Sequence, residues 1–210
     1  MLPSTFGHQT RGVDTVPHVF MYCIVRTVIF YRVTKNLYAT GDRIWETGEN
    51  NGFINNRSNI DVLLPLIAMG NETTITNILS SFDGDSFTNI DRDGVRSSYT
   101  EAVLEYTRAA EFPSLPIRYQ NMHVCKTLDD AKYFRTTYRT SQNPKIYKID
   151  TQGEFLFFSG DMNIYTYAQS GDLSSMIKAS RRYWKSEFTE NPFEEIILYP
   201  KTEVKVLAET

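Results

Sequence analysis

The segment from residue 19 to residue 34, VFMYCIVRTVIFYRVT, constrains the fold more than any other part of the sequence. Its apolar residues recur with the two-residue period of a β-strand. Five of them share one face of that strand: Phe20, Tyr22, Ile24, Val28 and Phe30. Arg26 and Arg32 fall on the same face, where a charged group needs a partner or a ligand. We therefore predict an early strand over residues 20–34 in which Arg32 has a specific task, and we interpret Arg26 as structural.

The chain is predicted to be a soluble protein with one folded domain. Its 210 residues are enough for a single domain with an arm, and we expect a flexible arm over residues 1–18 and the domain over residues 19–210. The apolar run is too short to span a bilayer, and Arg26 interrupts it. We find no basic leader with a small-residue cleavage site, so the sequence predicts a cytoplasmic location without a membrane partner.

The charge balance argues against a general affinity for nucleic acid. The formal net charge is −3, with an isoelectric point near 5.7, so no overall basic field exists. Two local clusters of basic residues remain: Arg135, Arg139, Lys145 and Lys148, and Lys178, Arg181, Arg182 and Lys185. These clusters are typical of a solvated surface, and they leave contact with phosphates open.

The sequence gives little support for a metal or a nucleotide-binding loop. Cys23 and Cys125 lie in apolar runs and are predicted to be buried, reduced thiols. Two cysteines and three histidines without close spacing do not make a zinc site. The acidic stretch over residues 83–94 lacks the glycine and closing glutamate of a calcium loop. Neither GxGxxG nor GxxxxGK[ST] occurs.

The order of predicted elements indicates an α+β fold. A long loop over residues 36–59 follows the first strand, and a short helix over 60–70 contains Pro65. The remaining elements are a helix over 98–111 with a Ser98–Glu101 capping box, a strand over 120–125, a helix capped by Thr127, strands over 145–150 and 154–160, a helix over 173–184, and strands over 194–200 and 203–208. This order lacks the regular alternation of a doubly wound fold.

Three separated segments resemble the ADP-ribosyltransferase superfamily. They are FYRV at 30–33, MHVCKTLDDAKYF at 122–134 and FEEIILYPKTEVKVL at 193–207. In that superfamily such segments carry, in this order, an arginine, a Ser/Thr triplet and a glutamate. The middle of the chain is also similar to an uncharacterised bacterial domain family that we associate with the same superfamily. The resemblance spans residues 28–207.

The resemblance implies a split, mixed or antiparallel β-sheet core flanked by short helices, and NAD⁺-dependent mono-ADP-ribosyltransferase activity. It implies Glu195 as the catalytic carboxylate, with Thr127 supporting the site. The residues that it implies for NAD⁺ binding are Arg32, Tyr31, His123 and Tyr147. The required chemistry suits these types, because arginine can bond two phosphate oxygens and a carboxylate can stabilise an oxocarbenium-like state.

Each implied residue also has a plain structural interpretation. Thr127 is a helix cap, and Cys125 departs from the superfamily's triplet. His123 is interpreted as a satisfied core histidine, and Arg32 is open to a structural ion pair. Glu194 and Glu195 point to opposite faces of a strand, so only one can face a cleft, and we choose Glu195.

The target of such an enzyme stays open, with a slight preference for nucleic acid over protein. Arginine-modifying relatives usually carry Glu or Gln two residues before the catalytic glutamate, where this chain has Phe193. By analogy with the superfamily, the enzyme is expected to act as a toxin or phage-defence effector, with an antitoxin as a possible partner. Two alternatives remain: a non-enzymatic or degenerate NAD-fold binding module, and an NAD-consuming RNA 2′-phosphotransferase.

Overall fold

We describe the fold from a computed structural model of the chain. The described residues are 28–44, 54–74, 77, 89–138, 143–152, 155–166, 172–198 and 203–210. The predicted arm over residues 1–18, the first part of the predicted early strand, Cys23 and Arg26 all lie outside these ranges.

The described residues form an α+β fold, as the sequence predicts. In chain order the elements are β1 (Val28–Thr34), β2 (Arg43–Ile44), α1 (Ile54–Ala68), α2 (Asn89–Glu111), a 3₁₀ turn (Arg118–Gln120), β3 (Met122–Val124), α3 (Leu128–Tyr138), β4 (Lys145–Thr151), β5 (Phe157–Asp161), α4 (Met162–Thr166), α5 (Leu173–Trp184), β6 (Glu194–Leu198) and β7 (Val204–Glu209). Within the described ranges, no helix combines the length and the apolar character needed to cross a bilayer.

The strands form two antiparallel sheets that meet at one point. The first sheet has the order β1-β4-β7-β2 and the second has the order β3-β6-β5. A backbone bridge joins them, in which the amides of Tyr31 and Cys125 each donate to the other residue's carbonyl, at 2.9 and 2.8 Å. Because β4 and β5 belong to different sheets, as do β6 and β7, the chain changes sheet at each of these two connections.

The second sheet is buried on both faces, and this decides where each side chain of β6 points. Ile196 and Leu198 pack against the first sheet, in a core that includes Phe30, Tyr147 and Ile149. Ile197 packs on the other side, against α2 and α5, with Leu104, Tyr183 and Trp184. Since neighbours on a strand alternate, Glu194 shares the face that looks toward the first sheet, and Glu195 shares the face that looks toward the helices.

Two predicted boundaries are wrong. Helix α2 begins at Asn89 rather than at residue 98, so Ser98 is a fully buried residue inside the helix and forms no capping box. The predicted loop over 36–59 ends earlier, because α1 begins at Ile54 and continues through Pro65 to Ala68. Polar and glycine-rich local sequence favoured turns here, whereas tertiary contacts, which join α1 and α2 from Ile60 and Tyr99 onward, leave no such local signal.

The helices that begin at residues 128 and 173 are confirmed. The Thr127 hydroxyl accepts a hydrogen bond from the Asp130 amide at 3.1 Å, as a helix cap does. Asp172 caps α5 in the same way, through the Ser175 amide at 2.7 Å. On the inner face of α5, Leu173, Met176, Ser180 and Trp184 are buried and Ile177 is partly buried.

Candidate functional site

A cluster of polar side chains lies buried between the second sheet and the helices. Its members come from six elements and are Glu101, Arg118, His123, Tyr165, Tyr183 and Glu195. Ionisable groups in such surroundings need hydrogen-bonded partners, and here the partners are one another. The cluster brings together residues that are up to 94 positions apart in the sequence, since Glu101 and Glu195 both contact Arg118.

Glu195 is fully engaged within this cluster. Its two carboxylate oxygens accept from Arg118 Nε and Nη2, each at 2.9 Å. The Tyr183 hydroxyl donates to Oε1 at 2.6 Å, and His123 Nδ1 lies 2.9 Å from Oε2. Although burial alone raises the pKa of a carboxyl group, Arg118 and His123 hold the pKa of Glu195 well below its usual range. Glu195 is therefore ionised at neutral pH in the folded protein.

Arg118 is the centre of the cluster. Besides its paired bonds to Glu195, its guanidinium bonds Glu101 and donates to the Tyr165 hydroxyl at 2.9 Å. The guanidinium carbon also lies 5.3 Å from the centre of the Tyr165 ring. Burial lowers the pKa of a guanidinium, but Glu195 and the tyrosines outweigh it and raise the pKa of Arg118, which stays charged.

His123 connects this cluster to the first sheet. Its Nε2 lies 2.8 Å from the Arg118 carbonyl oxygen, and its own backbone carbonyl accepts from Arg32 Nη1 at 3.2 Å. Burial and the nearby Arg118 charge lower the pKa of His123, against an opposing effect of Glu195. His123 therefore contacts both Arg32, which is predicted to bind NAD⁺, and Glu195. Arg32 is itself buried.

The Tyr183 ring reaches Glu195 across a glycine. Gly160 is the cross-strand partner of Glu195, and a β-carbon built on it would lie 2.4 Å from the Tyr183 ring. A hydrogen at this position therefore allows the ring to lie flat over β5 while its hydroxyl reaches the carboxylate.

We expect Gly160→Ala to destabilise the protein because the added methyl group must displace Tyr183 from Glu195. Overpacking of this kind typically costs about 1–3 kcal/mol. Urea unfolding of Gly160→Ala, compared with Ser159→Ala on the same strand, measures the effect. Equal stability of Gly160→Ala and wild type would contradict the placement of Tyr183.

Glu194 lies on the opposite face of β6 and is more accessible. Ser159 Oγ donates to its carboxylate at 2.6 Å, and Lys126 Nζ lies 3.7 Å away. About 30% of the Glu194 side chain is exposed, against 7% for Glu195. Glu194 is therefore a partly exposed carboxylate at the start of β6, with a hydroxyl and an ammonium group beside it.

The other predicted site residues lie at varying distances from this region. The Thr127 hydroxyl bonds Asp130 and is exposed, so it contacts neither glutamate among the bonds of the described residues. Tyr31 forms the bridge between the sheets. Tyr147 is the cross-strand partner of Arg32, and its buried hydroxyl accepts from the Tyr38 amide at 3.1 Å.

Cysteine or metal chemistry receives no support from this region. Cys125 is buried as a free thiol, and burial raises its pKa to about 12, so it is not a reactive thiolate. Across the described ranges, no group of three or more His, Cys, Asp and Glu side chains has a geometry that holds a metal ion.

Several residues of the two basic clusters are neutralised by carboxylates. Arg181 pairs with Glu111 at 2.7 Å, and Arg182 pairs with Glu187 at the same distance. Lys145 pairs with Glu209 at 2.5 Å. These pairs reduce the positive charge that the clusters would offer to phosphates.

Sequence reasoning missed Arg118 and Glu101 as members of the cluster. Arg118 follows two prolines in an irregular segment, and Glu101 lies within a helix that also carries surface charge. A glutamate at 101 was assigned to a helix cap, and its burial became visible only with the longer α2. Tyr183 packs in the core and also bonds Glu195, a role for which the amphipathic pattern of its helix gives no signal.

A family model described as "Protein of unknown function (DUF2441)" matches residues 30–209 of the chain. No curated protein matches the chain.

Proposed function

The chain belongs to the DUF2441 family of proteins of unknown function, so we propose an activity from the site: NAD⁺-dependent mono-ADP-ribosyl transfer to a macromolecule. The observation that carries this proposal is the meeting of the three segments that resemble the superfamily. Arg32 Nη1 contacts the His123 carbonyl at 3.2 Å, and the His123 ring contacts Glu195 at 2.9 Å. The two antiparallel sheets, joined beside these residues, are compatible with the split core that the resemblance implies.

We assign the reacting carboxylate to Glu194 rather than to Glu195. Glu195 already bonds Arg118, Tyr183 and His123, and it faces the helices. Glu194 shares its face of β6 with Ile196, which packs in the core between the sheets, and Arg32 shares its face of β1 with Phe30 in that same core. Arg32 and Glu194 therefore lie on the faces that the two sheets turn toward each other, which is where the proposal places NAD⁺.

The chemistry requires few groups from the protein. The bond between the ribose C1′ and the nicotinamide nitrogen breaks, and nicotinamide leaves with the bonding electrons. A carboxylate beside the ribose stabilises the positive charge and orients the 2′-hydroxyl. The acceptor then bonds C1′ and loses its proton. In this proposal Ser159 holds Glu194, which is the role that the resemblance implies for Thr127.

Arg32→Ala is expected to weaken NAD⁺ binding by about 1.5–3 kcal/mol, the usual value of a hydrogen bond to a charged group. Isothermal titration calorimetry with NAD⁺ measures this change. Arg43→Ala is the control, because Arg43 is exposed and pairs with Glu203 at 3.2 Å away from the site. An NAD⁺ affinity that is the same in both variants would make Arg32 purely structural.

The acceptor within this proposal is a macromolecule, with nucleic acid slightly preferred. Phe193 is buried and packs against Tyr133 and Phe134, with ring centres 5.1 and 6.1 Å away, so it offers nothing to a target guanidinium. The basic residues that pair with carboxylates add no support for a nucleic-acid acceptor. The proposed cellular role as a toxin or phage-defence effector, with an antitoxin partner, rests on the resemblance alone.

A second candidate is a non-catalytic binding module. It is favoured by one observation, the burial of both Arg32 and Glu195, because buried ionic clusters also serve only to specify a fold. An RNA 2′-phosphotransferase needs several basic residues around an RNA phosphate, and the ion pairs described above leave few of them available.

Incubation of the protein with labelled NAD⁺ and cell extract separates these candidates. Label in the protein or nucleic-acid fraction, analysed separately, supports transfer and identifies the acceptor class. Free nicotinamide without labelled macromolecule indicates NAD⁺ hydrolysis. Unchanged NAD⁺ in the presence of all fractions would contradict the proposed activity and favour the binding module.

A further inference from the structure

We propose that Arg118 is a positioning residue, which anchors the start of β6 and so holds Glu194 toward the space between the sheets. The consequence for catalysis rests on the proposed function, whereas the anchoring itself does not. In this proposal Arg118 does not touch NAD⁺. It acts by fixing the strand that carries Glu194.

The geometry of β6 gives Arg118 this control. Glu194 is the first residue of the strand and Glu195 is the second, so the direction of one side chain fixes the direction of the other. The guanidinium bonds both oxygens of Glu195, which restrains the carboxylate in position and in rotation. A strand start that slipped by one residue would exchange the two glutamates between its faces.

The other contacts of Arg118 make the anchor rigid. The guanidinium also bonds Glu101 of α2 and Tyr165 of α4, and the Arg118 carbonyl oxygen lies 2.8 Å from the His123 ring in β3. The Arg118 side chain thus connects two helices to β6, and the backbone of the same residue contacts the neighbouring strand β3. Lysine cannot replace it, because a single ammonium group lacks the planar fork that bonds both carboxylates.

The chain offers a matched control in Arg108. Arg108 is also buried and bonds both oxygens of Glu105 at 2.8 Å, and it donates to the carbonyls of Pro113 and Leu115 at 3.2 and 3.0 Å. These bonds join Arg108 to its own helix and to the segment that follows α2. Arg118→Lys and Arg108→Lys therefore each remove a buried bidentate pair, the first with Glu195 of β6 and the second with Glu105 of α2.

The experiment measures amide hydrogen exchange at residues 194–198 together with steady-state NAD⁺ kinetics in wild type and both variants. For Arg118→Lys we expect exchange at residues 194 and 195 to rise at least tenfold above that in Arg108→Lys. We also expect kcat to fall between about 10- and 100-fold with KM for NAD⁺ unchanged within threefold, since misplacement of a reacting group costs this much. Arg108→Lys is expected to keep the wild-type kcat.

Exchange at residues 194 and 195 that rises equally in both variants would overturn the anchoring. Faster exchange in Arg118→Lys with a wild-type kcat would overturn the link from anchoring to catalysis. If wild type consumes no NAD⁺ while exchange rises only in Arg118→Lys, the proposed function fails and the anchoring by Arg118 stands. A thermal melt of each variant establishes that it is folded at the assay temperature, and the assays are run below the lower of the two midpoints.

Discussion

Glu195→Gln is expected to lower the free energy of unfolding by about 3–5 kcal/mol, which is the usual cost of removing one partner from a buried ion pair. Glutamine keeps the shape of glutamate but removes the charge that balances Arg118. Its amide group also places donor hydrogens against the donors of Arg118 or Tyr183. Urea unfolding followed by tryptophan fluorescence measures the change, since Trp184 is buried beside Tyr183.

Glu194→Gln is the matched control for this prediction. About 30% of the Glu194 side chain is exposed, and its carboxylate accepts from Ser159 Oγ and lies near Lys126 Nζ. Partly exposed pairs contribute about 0–1 kcal/mol, so we expect Glu194→Gln to unfold near the wild-type midpoint. Equal losses of stability in the two variants would contradict the assignment of Glu195 to the interior face.

The pH dependence of the stability of wild type and of Glu195→Gln gives an independent check of the ion pair between Glu195 and Arg118. Because the pKa of Glu195 is lowered in the folded state, its stabilising contribution is fully present above its ordinary pKa of 4.5. That contribution is lost as the pH falls from 4.5 toward the folded-state pKa. The stability difference between wild type and Glu195→Gln should therefore be constant above pH 5 and shrink below 4.5. A difference that grows in acid would contradict the ion pair.

The general fold could be predicted from the sequence because its strands and two of its helices have strong local signals. The strand at 145–151 and the helix at 173–184 show clear alternation or a clear amphipathic pattern, and Thr127 and Asp172 are ordinary caps. The start of α2 could not be predicted, because residues 89–97 contain aspartates and a glycine that favour turns in isolation. The packing of α2 against α1 is seen from Tyr99 onward, and such tertiary contacts leave no local pattern in the sequence.

The pairing of the strands could not be predicted from the sequence either. Residues 145–151 and 157–161 follow one another closely, as a hairpin does, yet β4 and β5 join different sheets. β4 pairs with β1 and β7 and β5 pairs with β6, and pairings between segments so far apart in the sequence leave no local pattern.

The site could be predicted in part. Arg32, His123 and the glutamate pair belong to the three segments that resemble the superfamily in their order along the chain. The contacts of His123 bring these segments together. The choice between Glu194 and Glu195 required knowledge of which face of β6 meets the helices. Arg118 could not be predicted, because a single arginine in an irregular segment is usually exposed, and only the tertiary fold shows that two carboxylates surround it.

The second large effect is expected in catalysis rather than in stability. Glu194→Gln should reduce kcat for NAD⁺ consumption by about 10²–10³-fold, which is the usual effect of removing one group that stabilises transition-state charge. NAD⁺ affinity should stay within threefold, because the glutamine keeps the size of the side chain and Arg32 is untouched. Release of nicotinamide under saturating NAD⁺ measures kcat, and calorimetry measures affinity.

Glu187→Gln is the control for a lost surface carboxylate. Glu187 lies in the segment between α5 and β6 and pairs with Arg182 at 2.7 Å, so its loss changes the net charge by the same amount as Glu194→Gln. We expect Glu187→Gln to keep wild-type turnover. A loss of turnover in both variants would indicate a general electrostatic effect rather than a role for Glu194 in the reaction.

The outcome for Glu194 also decides which face of β6 meets NAD⁺. If Glu194→Gln keeps full turnover while a folded Glu195→Gln is inactive, the reacting carboxylate is the interior one, and the cluster around Arg118 must open for NAD⁺ to enter. If both glutamine variants are folded and fully active, neither glutamate takes part, and the proposed transfer is wrong. Only loss of turnover in Glu194→Gln with retained stability agrees with a reaction at the rim between the two sheets, next to Ser159 and Lys126.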